Sequence, residues 1–189
     1  MMSKPLLLAA LLAAALLAGC GSSPKARFYT LGASEASAPA KAAYRVAIGP
    51  VTVPDMLDRP QIVTRGGGNQ VTINEFERWA GPLKDEVGRA LAQNLTRLLD
   101  GANVFAYPQS SNVETDYRVV VDVQRFDSTL GDSASIEVLW QVQPAKGEPK
   151  TGRSVAREAV SGAGYDALVA AHGRALAAVS RDIAAAIRP

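Results

Sequence analysis

The sequence predicts an α+β layered domain, in which a mainly antiparallel or mixed sheet is covered by two principal helices. Segments with the two-residue alternation of half-buried strands come in groups, first between Tyr44 and Asn74 and again between Asn103 and Val160. One stretch with apolar residues three and four apart separates the groups, and a second closes the chain. A doubly wound sheet would instead alternate strand and helix regularly.

In "YRVAIGPVTVP", Tyr44, Val46 and Ile48 alternate with Arg45, Ala47 and Gly49, so this is a strand. Proline cannot donate to a sheet ladder, and Pro50 and Pro54 are therefore expected to confine it to an edge or to place themselves at its ends. After the loop "DMLDRP", the runs "QIVTR" and "QVTIN" flank "GGGN", whose glycines tolerate positive φ; this predicts a hairpin. "GPLKDEVGRALAQNLTRLLDG" is the clearest helix. Pro82 suits its first turn, Asp85 and Glu86 lie near the positive end of the dipole, Arg97 lies near the negative end, and Gly101 suits its termination. Leu83, Val87, Ala90, Leu91, Leu95, Leu98 and Leu99 form its apolar face.

Three strands should follow, in "NVFAYP", "DYRVVVDVQRF" and "SIEVLWQVQ". A turn across "AKGEPK" should lead to a last strand near "TGRSVAREAV". The final helix, "GYDALVAAHGRALAAVSRDIAAAIR", aligns Tyr165, Leu168, Val169, His172, Leu176, Val179, Ile183 and Ile187 on one stripe. No internal repeat is visible.

The amino terminus is built differently. Lys4 precedes an apolar run from Pro5 to Leu17, too short to span a bilayer of roughly 30 Å but of signal-peptide length. Leu17, Ala18 and Gly19 lead to Cys20, the only cysteine, which can close no intrachain disulfide and supply no paired thiolates. The string "LAGC" resembles the lipobox of bacterial lipoproteins, in which the thiol is acylated and the cysteine becomes the first residue; the other reading is a plain signal peptide with a chance thiol. Lipoproteins retained in the inner membrane commonly carry an aspartate next, whereas Gly21 and Ser22 stand here. The resemblance therefore implies a lipid anchor at the outer membrane, on its periplasmic face, in a Gram-negative bacterium. The acyl chains of a mature lipoprotein hold it stably, at about 0.8 kcal/mol per buried methylene.

The expected organisation is a signal peptide at 1–19, a lipidated cysteine and flexible tether at 20–43, and one domain at 44–189. The tether is rich in Ser, Ala, Pro and Gly. One island in it, "RFYTL" from Arg27 to Leu31, has more apolar surface than a linker needs and should be a short strand or docked segment. A mature chain of about 170 residues suits a single core. Over the full sequence charges are interspersed and the formal net charge is +2, of which Lys4 leaves with the signal, and no basic stripe of a nucleic-acid partner appears.

No constellation of residues rises to an active site, so the chain is expected not to be an enzyme. "GDSAS" contains a G-D-S sequence of the kind found around some hydrolase nucleophiles, here Ser133. The only histidine is His172, and the aspartate that would precede it by three residues in that lipase group is replaced by Val169. "GDS" reads more economically as a turn. His172 lies on an apolar stripe, where a core histidine is the ordinary case. Glu75 and Glu77 would share a side if extended, as acid and base pairs sometimes do, yet a solvated strand face looks the same. "RGGGN" lacks the Lys-Ser or Lys-Thr of a phosphate-binding loop, and no EF-hand spacing occurs. No metal and no cofactor beyond the covalent lipid on Cys20 is expected.

Two longer blocks, "RVAIGPVTVPDMLDRPQIVTR" (Arg45–Arg65) and "ERWAGPLKDEVGRALAQNL" (Glu77–Leu95), occur together with Tyr29-Thr30-Leu31 soon after the lipobox. In that order they resemble the PqiC-type family of ABC-type transport auxiliary lipoproteins, the paraquat-inducible membrane-integrity components, over nearly the whole mature chain. Met56 departs from the aromatic that many members carry before "LDRP". The resemblance implies an accessory subunit of a trans-envelope system that moves lipid or another hydrophobic substrate, with an MCE-domain periplasmic protein as partner and the energy source on other chains. A closed ring of copies would supply an opening at the outer membrane from one heterologous interface. The alternative is a free-standing envelope-integrity lipoprotein that binds a cell-wall or lipid ligand.

Trp and Arg are enriched among interface hot spots. Asp58, Arg59, Arg78 and Trp79, with Tyr29 and Leu31, are accordingly expected to form a face that meets a partner subunit or another copy. The competing account makes Trp79 a core anchor and Arg59 a solvated charge.

Overall fold

The computed structural model describes residues 24–32, 44–100, 102–106 and 114–187. Cys20, the signal segment and the chain between Gly32 and Tyr44 lie outside the described residues. In chain order the elements are β1 (Arg27–Tyr29), β2 (Arg45–Thr52), β3 (Gln61–Arg65), β4 (Val71–Trp79), α1 (Leu83–Leu98), β5 (Asn103–Ala106), β6 (Tyr117–Thr129), β7 (Ser133–Pro144), β8 (Lys150–Ala159) and α2 (Gly164–Ile187). The α+β class and the two principal helices are as the sequence predicts, and no helix among the described residues is long and apolar enough to cross a membrane.

Five strands form a mixed sheet in the order β5-β2-β6-β7-β8. β2 runs parallel to both neighbours, and β6, β7 and β8 form an antiparallel meander. β6 carries the expected face, with Val119, Val121 and Val123 buried; a register shift between Val123 and Arg125 then turns Phe126 and Ser128 to the buried side. α1 lies against β2 and β5, α2 against β6, β7 and β8, and the helices pack on each other. Leu83, Val87, Leu91 and Leu95 of α1 and Leu176, Val179 and Ile183 of α2 enter one core.

Of the two expected arrangements for β2, the edge position is not the one found, and Pro54 lies beyond the strand's end. β2 lies inside the sheet, with Val46, Ala47 and Ile48 buried between β5 and β6. The two prolines are accommodated by geometry instead. β5 pairs only with Arg45 to Ile48, and the ladder to β6 shifts between Ile48 and Val51, so Pro50 falls where no N–H is asked for. Gly49 takes a φ of 125° there, which a side chain would resist.

The remaining strands form a second sheet, β1-β4-β3. β3 and β4 are the predicted hairpin, with Val63 opposite Ile73 and Arg65 opposite Val71. β3 abuts β6, and Arg65 reaches Asp127 at 2.8 Å across the junction of the two sheets.

On β7 the Trp140 indole donates to Ser154 Oγ at 2.9 Å, and that hydroxyl donates to Asp182 of α2 at 2.6 Å, tying sheet to helix. The indole lies over Gly152, its partner on β8, and a Cβ there would overlap the ring. Gly152→Ala should therefore push Trp140 off its partner and lower the unfolding free energy by about 2 kcal/mol, the usual range for overpacking. Urea denaturation, read as a lower midpoint at unchanged slope, checks this.

Candidate anchoring and partner site

The "RFYTL" island becomes β1 and its continuation. Paired in parallel with β4, it sets Arg27 beside Glu77, Phe28 beside Arg78 and Tyr29 beside Trp79. Strand alternation then turns Tyr29 into the core and Phe28 out to solvent, at 8% and 64% exposure. The Tyr29 carbonyl accepts from the Ala80 amide at 2.8 Å.

Two buried carboxylates hold this segment. Glu77, from β4, is 2% exposed; it accepts the Tyr29 hydroxyl at 2.5 Å and the Arg27 guanidinium, whose Nε lies at 2.9 Å. Burial, reinforced by donation to Glu77, pushes the Tyr29 phenol up to about 12, so it stays protonated and remains a donor. Glu86, in the first turn of α1, accepts the Leu31 amide at 3.1 Å on one oxygen and Arg89 at 2.5 Å on the other. A buried carboxylate without partners would cost several kcal/mol. The residues that supply those partners to Glu77, together with the Leu31 amide on Glu86, come from just five positions, Arg27 to Leu31.

Glu75 and Glu77 do not form an acid and base pair. Between the two halves of the β3 ladder, β4 carries extra residues: Gln61 faces Arg78, yet Val63, two on, faces Ile73, five back. The Asn74 side chain accepts the Phe76 amide at 3.0 Å within this irregularity. Glu75 is left exposed, accepting from Gln61 at 3.0 Å and from Arg78 at 3.3 Å, while Glu77 turns inward.

The two sequence blocks meet where expected. The Trp79 amide donates to the Pro60 carbonyl at 2.7 Å, and Lys84 of α1 reaches Asp58 at 3.3 Å. The residues of the expected face differ in burial, however. Trp79 is 4% exposed and stands edge-on to Phe126 with ring centroids 6.1 Å apart; Tyr29 and Leu31 are equally interior. These three side chains complete the core of their own chain. Asp58, exposed, and Arg59 and Arg78, both half-buried, are what this region presents. The Arg59 Nε is buried without a hydrogen-bond partner among the described residues. Alternation through "RFYTL" by itself places Phe28 on the side opposite Tyr29.

A serine and histidine pair does occur, at a different serine. Ser133 lies at the turn between β6 and β7 beside Gly131, at φ 70°, and donates to Asp132 at 2.8 Å. His172 instead shares a 2.8 Å hydrogen bond with Ser128 and stacks on Phe126 at 3.8 Å. Both residues are buried, the other ring nitrogen has no partner among the described residues, and burial drives the imidazole down to about 3. Such a ring is too weak a base to activate a hydroxyl near neutral pH, and with no carboxylate behind it the pair is a core contact. Among the described residues no three His, Cys, Asp or Glu side chains gather as a metal site requires.

His172 makes stability pH dependent. The unfolded chain binds its proton near 6.5 and the native chain only near 3, so below pH 6.5 the unfolded state is favoured by about 1.4 kcal/mol per unit. Moving from pH 7 to pH 5 should remove about 2 kcal/mol through this group. His172→Gln should flatten that slope while lowering the neutral plateau, as followed by denaturation at several pH values.

Comparison with known proteins agrees with the fold. A crystal structure of a protein described as uncharacterized is 22% identical, with a TM-score of 0.72, covering 87% of this chain and all of its own. A Xanthomonas campestris protein of the DUF330 family is 19% identical, with a TM-score of 0.55, over 85% of this chain and 90% of its own. No curated protein matches the sequence. The model of the ABC-type transport auxiliary lipoprotein component matches residues 29–184, starting at the tyrosine that Glu77 holds. By that match across almost all of the described structure, the chain belongs to the family of ABC-type transport auxiliary lipoprotein components.

Proposed function

We propose that this protein is an accessory subunit fixed through an acylated Cys20 to the periplasmic face of the outer membrane, where it serves a trans-envelope system for lipid or another hydrophobic substrate, with an MCE-domain protein as partner. The observation that carries the reading is the two-carboxylate latch. The segment just after Cys20 is built into the body through Glu77 and Glu86, so a lipid at Cys20 would position the whole domain. Family membership makes the role auxiliary to transport. On this reading the energy source lies on other chains. The loop at Asp58 and Arg59, joined through Pro60 to Trp79 and through Asp58 to α1, is on this reading the partner surface next to the latch.

Affinity purification of the lipidated protein from its native envelope in mild detergent, with mass spectrometry and a native-mass reading, tests this. An MCE-domain protein should be recovered with it, less so from the Cys20→Ala chain and severalfold less from Arg59→Ala at an unchanged melting temperature. Recovery of the protein alone, at monomer mass and with bound lipid or glycan, would favour the free-standing binding module.

A further inference from the structure

Phe28 is, with Val155, the most exposed of the large apolar side chains among the described residues, and the larger of the two. It is 64% exposed in a strand of three residues at the edge of the smaller sheet, while its neighbours Arg27 and Tyr29 both reach Glu77. Phe76, next to Glu77 on β4, is exposed as well. Exposed Lys25 precedes Phe28 by three residues, the largely exposed Arg27 side chain pairs with Glu77 and feels Asp166, and half-buried Arg78, beside Phe28 in register, pairs with Glu75.

Position along the chain says what covers this edge. Seven residue steps separate Cys20 from Arg27, a span of at most about 25 Å even at full extension. The tether expected over residues 20–43 would hold a body starting at Tyr44 much more loosely. With β1 built into the sheet, the leash to the body is a few residues long.

We infer that the β1 edge of the smaller sheet rests on the bilayer that holds Cys20, with Phe28 in the interface and Lys25 and Arg27 against anionic phospholipid headgroups. The inference depends on acylation of Cys20. One phenylalanine and a few cations bind a membrane weakly on their own. A short leash makes the contact intramolecular, at an effective concentration in the millimolar range, and so populates it. The edge of β1 is thereby covered, and the orientation of the domain on the membrane is set.

Because acylation consumes the thiol of Cys20, Phe28→Cys in the lipidated full-length chain carries the only free thiol, and Leu139→Cys, on the larger sheet, provides a control. Each is labelled with an environment-sensitive fluorophore and reconstituted into vesicles of phosphatidylethanolamine and phosphatidylglycerol that contain a bilayer-depth quencher. The label at position 28 should be quenched severalfold more than that at position 139. Equal quenching at the two positions in vesicle-bound protein would overturn the inference. So would a label at position 28 already shielded without vesicles at a native mass of several copies, because the edge would then be covered by another subunit. Mass spectrometry of the Cys20 peptide separates the two levels: an acylated peptide with no quenching at position 28 sinks only this inference, whereas an unacylated one sinks the anchor reading as well.

Discussion

Trp79→Ala should lower the unfolding free energy by about 4 kcal/mol, the cost of emptying a large aromatic site in a packed core. The indole is almost wholly buried, edge-on to Phe126, which in turn stacks on His172. Removing it should loosen three elements at once: β4, β6 and α2. Arg59→Ala, one residue before the carbonyl that holds the Trp79 amide, should change stability by less than about 1 kcal/mol, since the side chain is only half-buried and its buried Nε has no hydrogen-bond partner to lose among the described residues. Urea unfolding of the two variants side by side checks the contrast. If Trp79→Ala unfolded at the wild-type midpoint while losing partners, the ring would be a contact residue and its core placement would be wrong.

Glu77→Ala should have an effect of similar size by another route. It leaves the Tyr29 hydroxyl buried without its acceptor and the Arg27 guanidinium without its buried partner, a loss of about 3 kcal/mol. Arg27 is mostly solvated, so most of that loss should come from Tyr29 and the cavity. The loss should also be local. β1 has three residues and a single neighbouring strand, so it should detach before the five-stranded sheet opens, freeing the backbone after Lys25 and Arg27 for trypsin under conditions where the rest resists. Limited proteolysis with mass analysis of the fragments reads this directly. Combining Glu77→Ala with Tyr29→Phe should cost little more than Glu77→Ala alone, because one hydrogen bond is removed by both changes.

Much of this molecule is written in local spacing. The helix faces of α1 and α2, the hairpin across the glycines and the alternation of β6 and β7 are all patterns within one to two dozen residues, and a 3.6- or 2-residue period or a glycine run marks them without knowledge of any partner. The order of the two blocks that resemble the auxiliary lipoproteins is local in the same sense, and the family match agrees with it.

What tertiary structure alone decided depends on residues far apart in the chain. Alternation marks β2 as a strand but cannot say that β5 and β6 flank it, nor that a shift in register relieves Pro50. Glu75 and Glu77 are equivalent by period; only the irregularity in β4 makes one a surface group and the other the acceptor of a tyrosine 48 residues away. Tyr29, Leu31 and Trp79 carry the composition of an interface and turn inward because β1 pairs with β4, and the partner of His172 is Ser128 because α2 crosses β6 at Phe126. A side chain's type and period are properties of its neighbours in sequence, whereas its burial and its hydrogen-bond partner are set by whichever distant segment packs against it.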